Sequence, residues 1–410
     1  MAKEGKPQRK KIIENVIKTH CDEKTVQGVA DAFLLAVDDI HDQRDDDIHD
    51  QRDIERCDHL IQEILFIAVV AVLCGSESHR DMETFAKTQT EWLKQFIKLE
   101  YGAPSHDTFL RVLECLKPGY LDEAVREMFH QLNLDDKGKH IAIDGKVLRG
   151  CYNIKGMSLL RTVSAWDTEN GISLAQVATK NDEGKDVGEF HAIPKLIGML
   201  NIEGKTVTID AGGAYVEIAG AVVEGGGDDA ITLKENQPTL YKEAVKTFQE
   251  LEERGFEGID CYDESHRGHG RQERRTYYAV SVTEEKLRTK WPGLQTFVMG
   301  MFQRTAGGVT TEYRRYYFSS MNCGEVERLG QVLRRHWSIE NNLHWILDVS
   351  FNEDGNRTRR GHGAENLSIL RRAALSILNQ HKGKMTIPNM KFRAALDPEF
   401  RTKLFLKPPM

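Results

Sequence analysis

Three acidic residues stand where a fold could gather carboxylates around divalent cations: Asp144, Asp210 and Glu340. Asp144 closes the apolar run HIAID (140–144), and Asp210 closes TVTID (206–210). Both runs read as short strands ending in an acid. Hard oxygen ligands at the ends of adjacent strands suit divalent cations. Two such ions can activate an attacking oxygen and steady a leaving one in phosphoryl transfer. Glu340 is placed differently. Steps of three, four and seven from it reach Leu333, Trp337, Leu343 and Leu347, so it is expected in the middle of a helix's apolar stripe. A charge on that inward face is costly unless a cation or a base balances it. The structural alternative is an internal ion pair with Arg334, Arg335 or His344. Asp348, Glu353 and Asp354 follow closely and are rival third ligands.

Basic and planar groups surround these acids. Lys146 and Arg149 follow Asp144, and Lys234, Asn236 and Gln237 end a later strand. His269, Arg271 and Arg274 lie in GHGRQERR, and Arg335, His336, Trp337 and Asn341 flank Glu340. In a DNA-binding reading the cations hold phosphates and Trp337 stacks on an unpaired base. Taken singly, each is equally well a solvated charge or a core residue.

The formal net charge of −7 argues at first against a DNA partner, but the charge is unevenly spread. Residues 355–410 carry twelve Lys or Arg and three acids, whereas acids concentrate around 38–55. A basic cluster is what phosphate contact needs. The seven cysteines contain no C-x-x-C pair, which disfavours a structural zinc site or a cysteine-dependent enzyme and fits reduced thiols in a cytoplasm. The longest apolar run, Ile64 to Cys74, falls short of the roughly 20 residues a membrane helix requires and reads as a buried helix. No apolar signal region follows the basic N-terminus, so a cytoplasmic protein is expected.

The elements that must position the acids fall into three parts. Residues 1–135 read as an α-helical N-terminal domain. Within it DDIHDQRD (38–45) is repeated letter for letter at 46–53, and this acidic stretch is expected to be an exposed linker or loop. Ser105 or Asp107 can cap a helix after Pro104. Residues 136–380 read as the catalytic domain, with the order β-β-β-α-β-α-β from 139 to 234. That is the order of a ribonuclease-H-like core, an α/β (α+β) fold. Three strand-like runs at about 240–320 form a β-rich insertion, and regular helix runs from Gly324 to about Val349. Residues 381–410 read as a basic tail.

With these residues in view, the chain resembles a DDE insertion-sequence transposase of the H-repeat-associated, IS4-like type. The matching stretches are IAIDGKVLRG (141–150), TVTIDA (206–211), LKENQP (233–238), HGRQERR (269–275) and LRRHWSIENNLHWILDVSFNED (333–354). CDHLIQEILFIAVVAVLCG and APSHDTFLRVL resemble the helical domain associated with these enzymes. The resemblance implies a ribonuclease-H-like core with a β insertion. It also implies Mg²⁺-dependent cleavage and strand transfer at the ends of the protein's own element. Carried over by position, it makes Asp144, Asp210 and Glu340 both the catalytic acids and the ligands of two metal ions. The expected partners are double-stranded DNA, as inverted-repeat ends and target, and a second copy in a homodimer on that DNA. The expected place is the bacterial nucleoid. The chain departs from the family after Asp210, where Gly212, Gly213, Ala214 and Tyr215 replace a Met-Gly-small-Gln run. It departs again where Asp186, Val187, Gly188 and Glu189 stand in place of Lys-Ser-Asn-Glu. Two rival classes remain: a ribonuclease-H-like nuclease that cuts without joining, and a DNA-binding regulator without catalysis. Loss of any of the three acids would favour the regulator, and all three are present.

Overall fold

Ile61–Leu73 is apolar on almost every side, and a helix of that kind must be covered all round. The structure, a computed structural model, describes residues 28–42, 58–134, 137–152, 159–180, 185–268 and 270–406. Ahead of the sheet come α1 (Val29–Asp42), α2 (Ile61–Leu73), α3 (His79–Thr88), α4 (Thr90–Leu93), α5 (His106–Cys115) and α6 (Pro118–Gln131). Ser78 and Asp81 form a capping box at α3, and the Ser105 hydroxyl accepts from the Thr108 amide at α5.

Three strands follow: β1 (His140–Tyr152), β2 (Leu159–Asp167) and β3 (Ile172–Ala178). Then come α7 (Glu189–Ile197), β4 (Thr206–Ile209), α8 (Val216–Glu224) and β5 (Asp228–Leu233). β1, β2 and β3 are antiparallel neighbours, and β4 and β5 run parallel to β1. This is the ribonuclease-H-like arrangement that the element order implied. The crossovers through α7 and α8 give parallel pairing because a helix must carry the chain back across the sheet.

α9 (Pro238–Glu253) leads into β6 (Cys261–Gly268), β7 (Arg271–Ser281), α10 (Glu285–Lys290), β8 (Thr296–Ala306) and β9 (Val309–Ser319). The β-rich region is not a separate sheet. β9 pairs antiparallel with β5, so among the described residues one nine-stranded sheet runs β3-β2-β1-β4-β5-β9-β8-β7-β6. Sequence reading missed β6, whose alternation of polar side chains carries no apolar signal.

The late helices are α11 (Val326–His336), α12 (Trp345–Phe351), α13 (Gly363–Gln380), α14 (Ile387–Leu396) and α15 (Pro398–Phe405). α13 is buried along nearly its whole length, between β3 on one side and α2, α5 and α6 on the other. The helical region and the sheet therefore share one continuous apolar core.

Three expectations need correction. Residues 38–42 of the acidic repeat are not loop: they finish α1, and Asp38 accepts a hydrogen bond from Gln62 Nε2 at 2.8 Å. The apolar face of α1 carries the helix into the repeat; residues 43–53 lie outside the described residues. The basic stretch after 380 is not a tail. α14 packs on α12 and α13, and α15 folds back against the N-terminal helices, with Phe405 against Phe66 and Trp92, and Trp92 Nε1 donating to Thr402 Oγ1 at 2.8 Å. Four of its neighbourhood's cations, Arg371, Arg372, Lys391 and Arg401, are buried and unavailable to phosphate. The helix expected from 324 to 349 is also not regular, as described next.

Candidate active site

The parallel ladder between β1 and β4 ends at the pair Ile143 and Ile209. The next residue on each strand is an acid, so Asp144 and Asp210 leave the ladder at the same level. Asp210 is at a true strand end. Asp144 is not, because β1 runs on to Tyr152 and pairs Asp144 with Ser164 of β2. The Asp210 carboxylate caps the turn Ala211–Gly213, accepting from the Gly212 amide at 2.9 Å. Two residues of LKENQP hold that turn from the far side. Asn236 Nδ2 donates to the Ala211 carbonyl at 2.8 Å, and Gln237 Nε2 to the Ala214 carbonyl at 2.7 Å.

Glu340 reaches the same place by an irregular route. Between α11 and α12 the chain takes a π-helical turn, Glu340–His344, in which the Trp345 amide bonds to the Glu340 carbonyl five residues back. The buried stripe there runs Leu333, His336, Ile339, Leu343 and Leu347. Glu340 sits beside that stripe and is exposed, which corrects the inward placement read from spacing. The wide turn presents Glu340 and His344 together. Ligand atoms of Asp144, Glu340 and His344 all lie within 4.8 Å of one another.

The electrostatics of this group are those of anions without a counter-charge. Burial raises the Asp144 carboxyl to about 8, helped by the charges of Asp210, Glu340 and Glu189. His344 is buried, and burial with the nearby Arg372 and Lys146 charges lowers its pKa to about 3. It is thus a neutral imidazole, the form that ligates metal. Its Nδ1 is 3.5 Å from Asp144 Oδ2, and its Nε2 is buried without a hydrogen-bond partner. Hard carboxylates with one neutral imidazole are a donor set that fits a divalent cation of the Mg²⁺ or Mn²⁺ kind.

The rival acids are engaged elsewhere. Asp348, Glu353 and Asp354 converge on Lys146, whose Nζ is 2.5, 3.8 and 3.6 Å from them. Glu353 also binds Arg372 at 3.1 Å and accepts from Ser368 at 2.9 Å. Burial alone would raise its pKa, but Arg372, Arg371 and Lys146 together hold it below the usual value. Lys146 is therefore a buried internal cation and not a DNA contact. His336 is also buried. Its Nδ1 meets Thr208 Oγ1 at 3.0 Å, in a chain continued by Thr208 to His140 at 2.8 Å.

Other DNA candidates do face outward. Arg149, Lys234, Arg271, Arg335, Trp337 and Asn341 are exposed. Arg149 lies 3.6 Å from Asp354, Arg271 2.8 Å from Glu273, and Arg335 3.0 Å from Glu169. Trp337, Asn341 and Arg335 line a cavity of about 620 Å³ between α11 and the β7–β9 strands. Arg315 stands over Trp337 at 4.8 Å and over Tyr313 at 5.4 Å, while Phe302 and Tyr313 stack at 5.0 Å. Arg271 lies apart from this cavity, at the far end of β7, and His269 is outside the described residues.

Sequence reading named Glu189 only within the run 186–189, did not single out Arg315, and took His344 only as a salt-bridge partner of Glu340. The spacing of four between Glu340 and His344 was the available signal for the imidazole. Nothing local marks Arg315.

Comparison with known proteins places the chain. Residues 135–377 match the family model described as "Transposase DDE domain", and residues 46–128 match "DDE_Tnp_1-associated". The chain is 33% identical over 356 residues to the "H repeat-associated putative transposase YhhI" of Escherichia coli (strain K12), covering 84% of this chain and 92% of that one. It is 34% identical over 234 residues to the same organism's YbfD, of the same description, covering 57% and 90%. Among solved structures, a piggyBac transposase synaptic complex with hairpin DNA aligns with a TM-score of 0.38 at 10% identity, covering 95% of this chain and 81% of that one. Among the described residues no helix is long and apolar enough to cross a membrane. The extent of the family match and of the identity to YhhI show that the chain belongs to the DDE transposases, among the H repeat-associated proteins.

Proposed function

We propose that this protein cleaves DNA at the inverted-repeat ends of its own element and joins the cut ends to target DNA. The observation that carries this reading is the convergence of Asp144, Glu340 and the neutral His344, with Asp210 at the same sheet level. Asp144, Asp210 and Glu340 are the catalytic acids and would hold Mg²⁺, or Mn²⁺ in its place, as two ions. When bound, such ions stabilise the charge that develops on phosphodiester oxygens. The chain's own residues do the rest. Asn236 and Gln237 fix the turn that aims Asp210. Arg315 and Arg335 offer cations to the DNA backbone, and Trp337 offers a ring face to a base beside the scissile phosphate. The protein acts as a homodimer on DNA in the bacterial nucleoid.

The test uses duplex oligonucleotides carrying the two ends of the element, with Mg²⁺ or Mn²⁺. Strand cleavage followed by joining to a second duplex supports the reading. Cleavage without joining makes the protein a nuclease, and binding without cleavage makes it a regulator.

A further inference from the structure

Ala142 of β1 pairs with Thr208 of β4. Alternate side chains of a strand share a face, so Thr208, Asp144 and Lys146 lie on one face of the sheet. α11 packs on that sheet against β1, β4 and β5. From its end the chain carries His336, Glu340, His344 and Asp348 at intervals of four. Three of these meet the sheet in order. His336 Nδ1 is 3.0 Å from Thr208 Oγ1, His344 Nδ1 is 3.5 Å from Asp144 Oδ2, and Lys146 Nζ donates to Asp348 Oδ1 at 2.5 Å. Glu340 has a carboxylate oxygen within the same 4.8 Å group as Asp144 and His344.

The middle and outer contacts differ in sign. Asp144 and Glu340 are acids brought together without a counter-charge, and their repulsion pushes the π turn away from β1. The Lys146–Asp348 pair draws the same two elements together one turn further on. Only 7% of the Lys146 side chain and 33% of the Asp348 side chain is exposed, so water screens this pair less than a surface pair. Its anchorage is in the core. Lys146 Nζ also lies 3.8 Å from Glu353 and 3.6 Å from Asp354, and Glu353 binds the buried Arg372 of α13. The Arg149 amide donates to Asp354 Oδ1 at 3.3 Å, which ties β1 to the same corner. We propose, on the footing of the metal-dependent cleavage above, that Lys146 is a positioning residue for that reaction. Its pair with Asp348 holds the π turn on β1, with His336 on Thr208 as the other fixed point. Glu340 and His344 are thereby kept within ligating reach of Asp144 before a cation arrives. Lys146 touches neither DNA nor metal and acts through where it places those two side chains.

The test is Mn²⁺ binding to the full chain by isothermal titration, with metal-free melting, affinity for the end duplex across salt, and steady-state cleavage measured alongside. Two variants are compared with the wild type, Lys146→Met and Asp348→Asn. Removing one partner of a buried pair is strongly destabilising, so Lys146→Met is the variant at risk of not folding. Asp348→Asn then carries the test, because it leaves Lys146 beside Glu353 and Asp354. In the folded variants Mn²⁺ affinity should fall by about 10–100-fold, the loss expected when a group that orients metal ligands is removed. The kcat for cleavage should fall with it, while KM for the end duplex and the salt slope of DNA binding stay at wild-type values. Asp348→Glu, which keeps the charge, should bind Mn²⁺ more tightly than Asp348→Asn. Variants that melt lower but keep wild-type Mn²⁺ affinity and kcat would make the pair merely structural and overturn the proposal, leaving the proposed function standing. A salt slope reduced by about one in Lys146→Met, with Mn²⁺ affinity unchanged, would make Lys146 a phosphate contact and overturn it equally. A wild type that binds no Mn²⁺ would overturn the metal-dependent reading itself, and the role of Lys146 with it.

Discussion

His344 Nδ1 lies 3.5 Å from Asp144 Oδ2, but the two do not form an ordinary ion pair at neutral pH. Burial keeps the imidazole neutral, with its pKa lowered to about 3, and burial with the neighbouring acids lifts the Asp144 carboxyl to about 8. The contact is a carboxylate site and a neutral nitrogen ligand facing one another without the charge that would satisfy both.

A pH dependence follows. The folded pKa of Asp144 is above its unfolded value, so the folded state binds the extra proton. Stability falls through this group as pH rises from about 4 to about 8. Asp229 and Glu365, each raised by burial to about 7, tilt stability the same way without involving metal. The buried His140, His336 and His344, all lowered, withdraw stability only as pH falls below about 6.5. A divalent cation competes with the Asp144 proton. The rise in melting temperature caused by Mn²⁺ should therefore grow between pH 6.5 and 8.5. An increment that stays constant over that range would show that Asp144 does not hold the ion.

Glu353→Gln should damage the fold rather than the chemistry. It leaves Arg372, which is 2% exposed, without its 3.1 Å partner in the core. Breaking a buried pair on one side costs about 3–5 kcal/mol. Chemical denaturation should show a loss of that size. A stable Glu353→Gln protein that no longer cleaves would restore Glu353 as a candidate ligand.

How much of this was legible in the sequence depended on how each residue is placed. Asp144 and Asp210 were readable because each follows a short apolar run, and parallel pairing of those runs makes their equivalence automatic. Glu340 was found for a wrong reason. Its apparent place in an apolar stripe assumed an unbroken α-helix, and the π turn at 340–344 moves the stripe to Ile339 and Leu343. Lys146 and Glu353 looked like site residues because they are charged and close in sequence to the acids. Their mutual neutralisation 202 and 207 residues of chain apart, through Asp348 and Glu353, is a tertiary fact. The twelve cations after 355 looked like one basic surface, and only packing separates exposed Arg357, Arg359 and Arg360 from buried Arg372 and Arg401.

That separation gives a paired prediction. Replacing Arg357, Arg359 and Arg360 together with Ala should leave stability within about 1 kcal/mol, since all three are exposed. If they touch phosphates, the slope of log affinity against log salt should fall by about 2–3. Arg401→Ala should do the reverse. Arg401 is fully buried, donates to the Ala394 carbonyl at 2.9 Å and stands over Trp92 at 4.4 Å, so its loss should cost about 2–4 kcal/mol with an unchanged salt slope. An unchanged slope in the triple variant would move the DNA path away from this loop.

Trp337 is 46% exposed beside Glu340 and under Arg315. Trp337→Ala should weaken binding to end duplexes by about 5–150-fold, the loss expected for one stacked base. Folding stability should change by less than about 1 kcal/mol. Undiminished affinity, measured by fluorescence anisotropy at fixed salt, would remove the aromatic cavity from the DNA interface.

The most direct measurement is cleavage of end duplexes by Glu340→Gln in Mn²⁺. The substitution keeps the shape of an exposed side chain on the π turn and removes one charge from the group around Asp144. Folding and DNA affinity should stay near wild type. Cleavage should fall by about three orders of magnitude, equivalent to about 4 kcal/mol of barrier. Wild-type cleavage by Glu340→Gln, or undiminished wild-type cleavage in excess EDTA, would contradict a metal-holding role for Glu340.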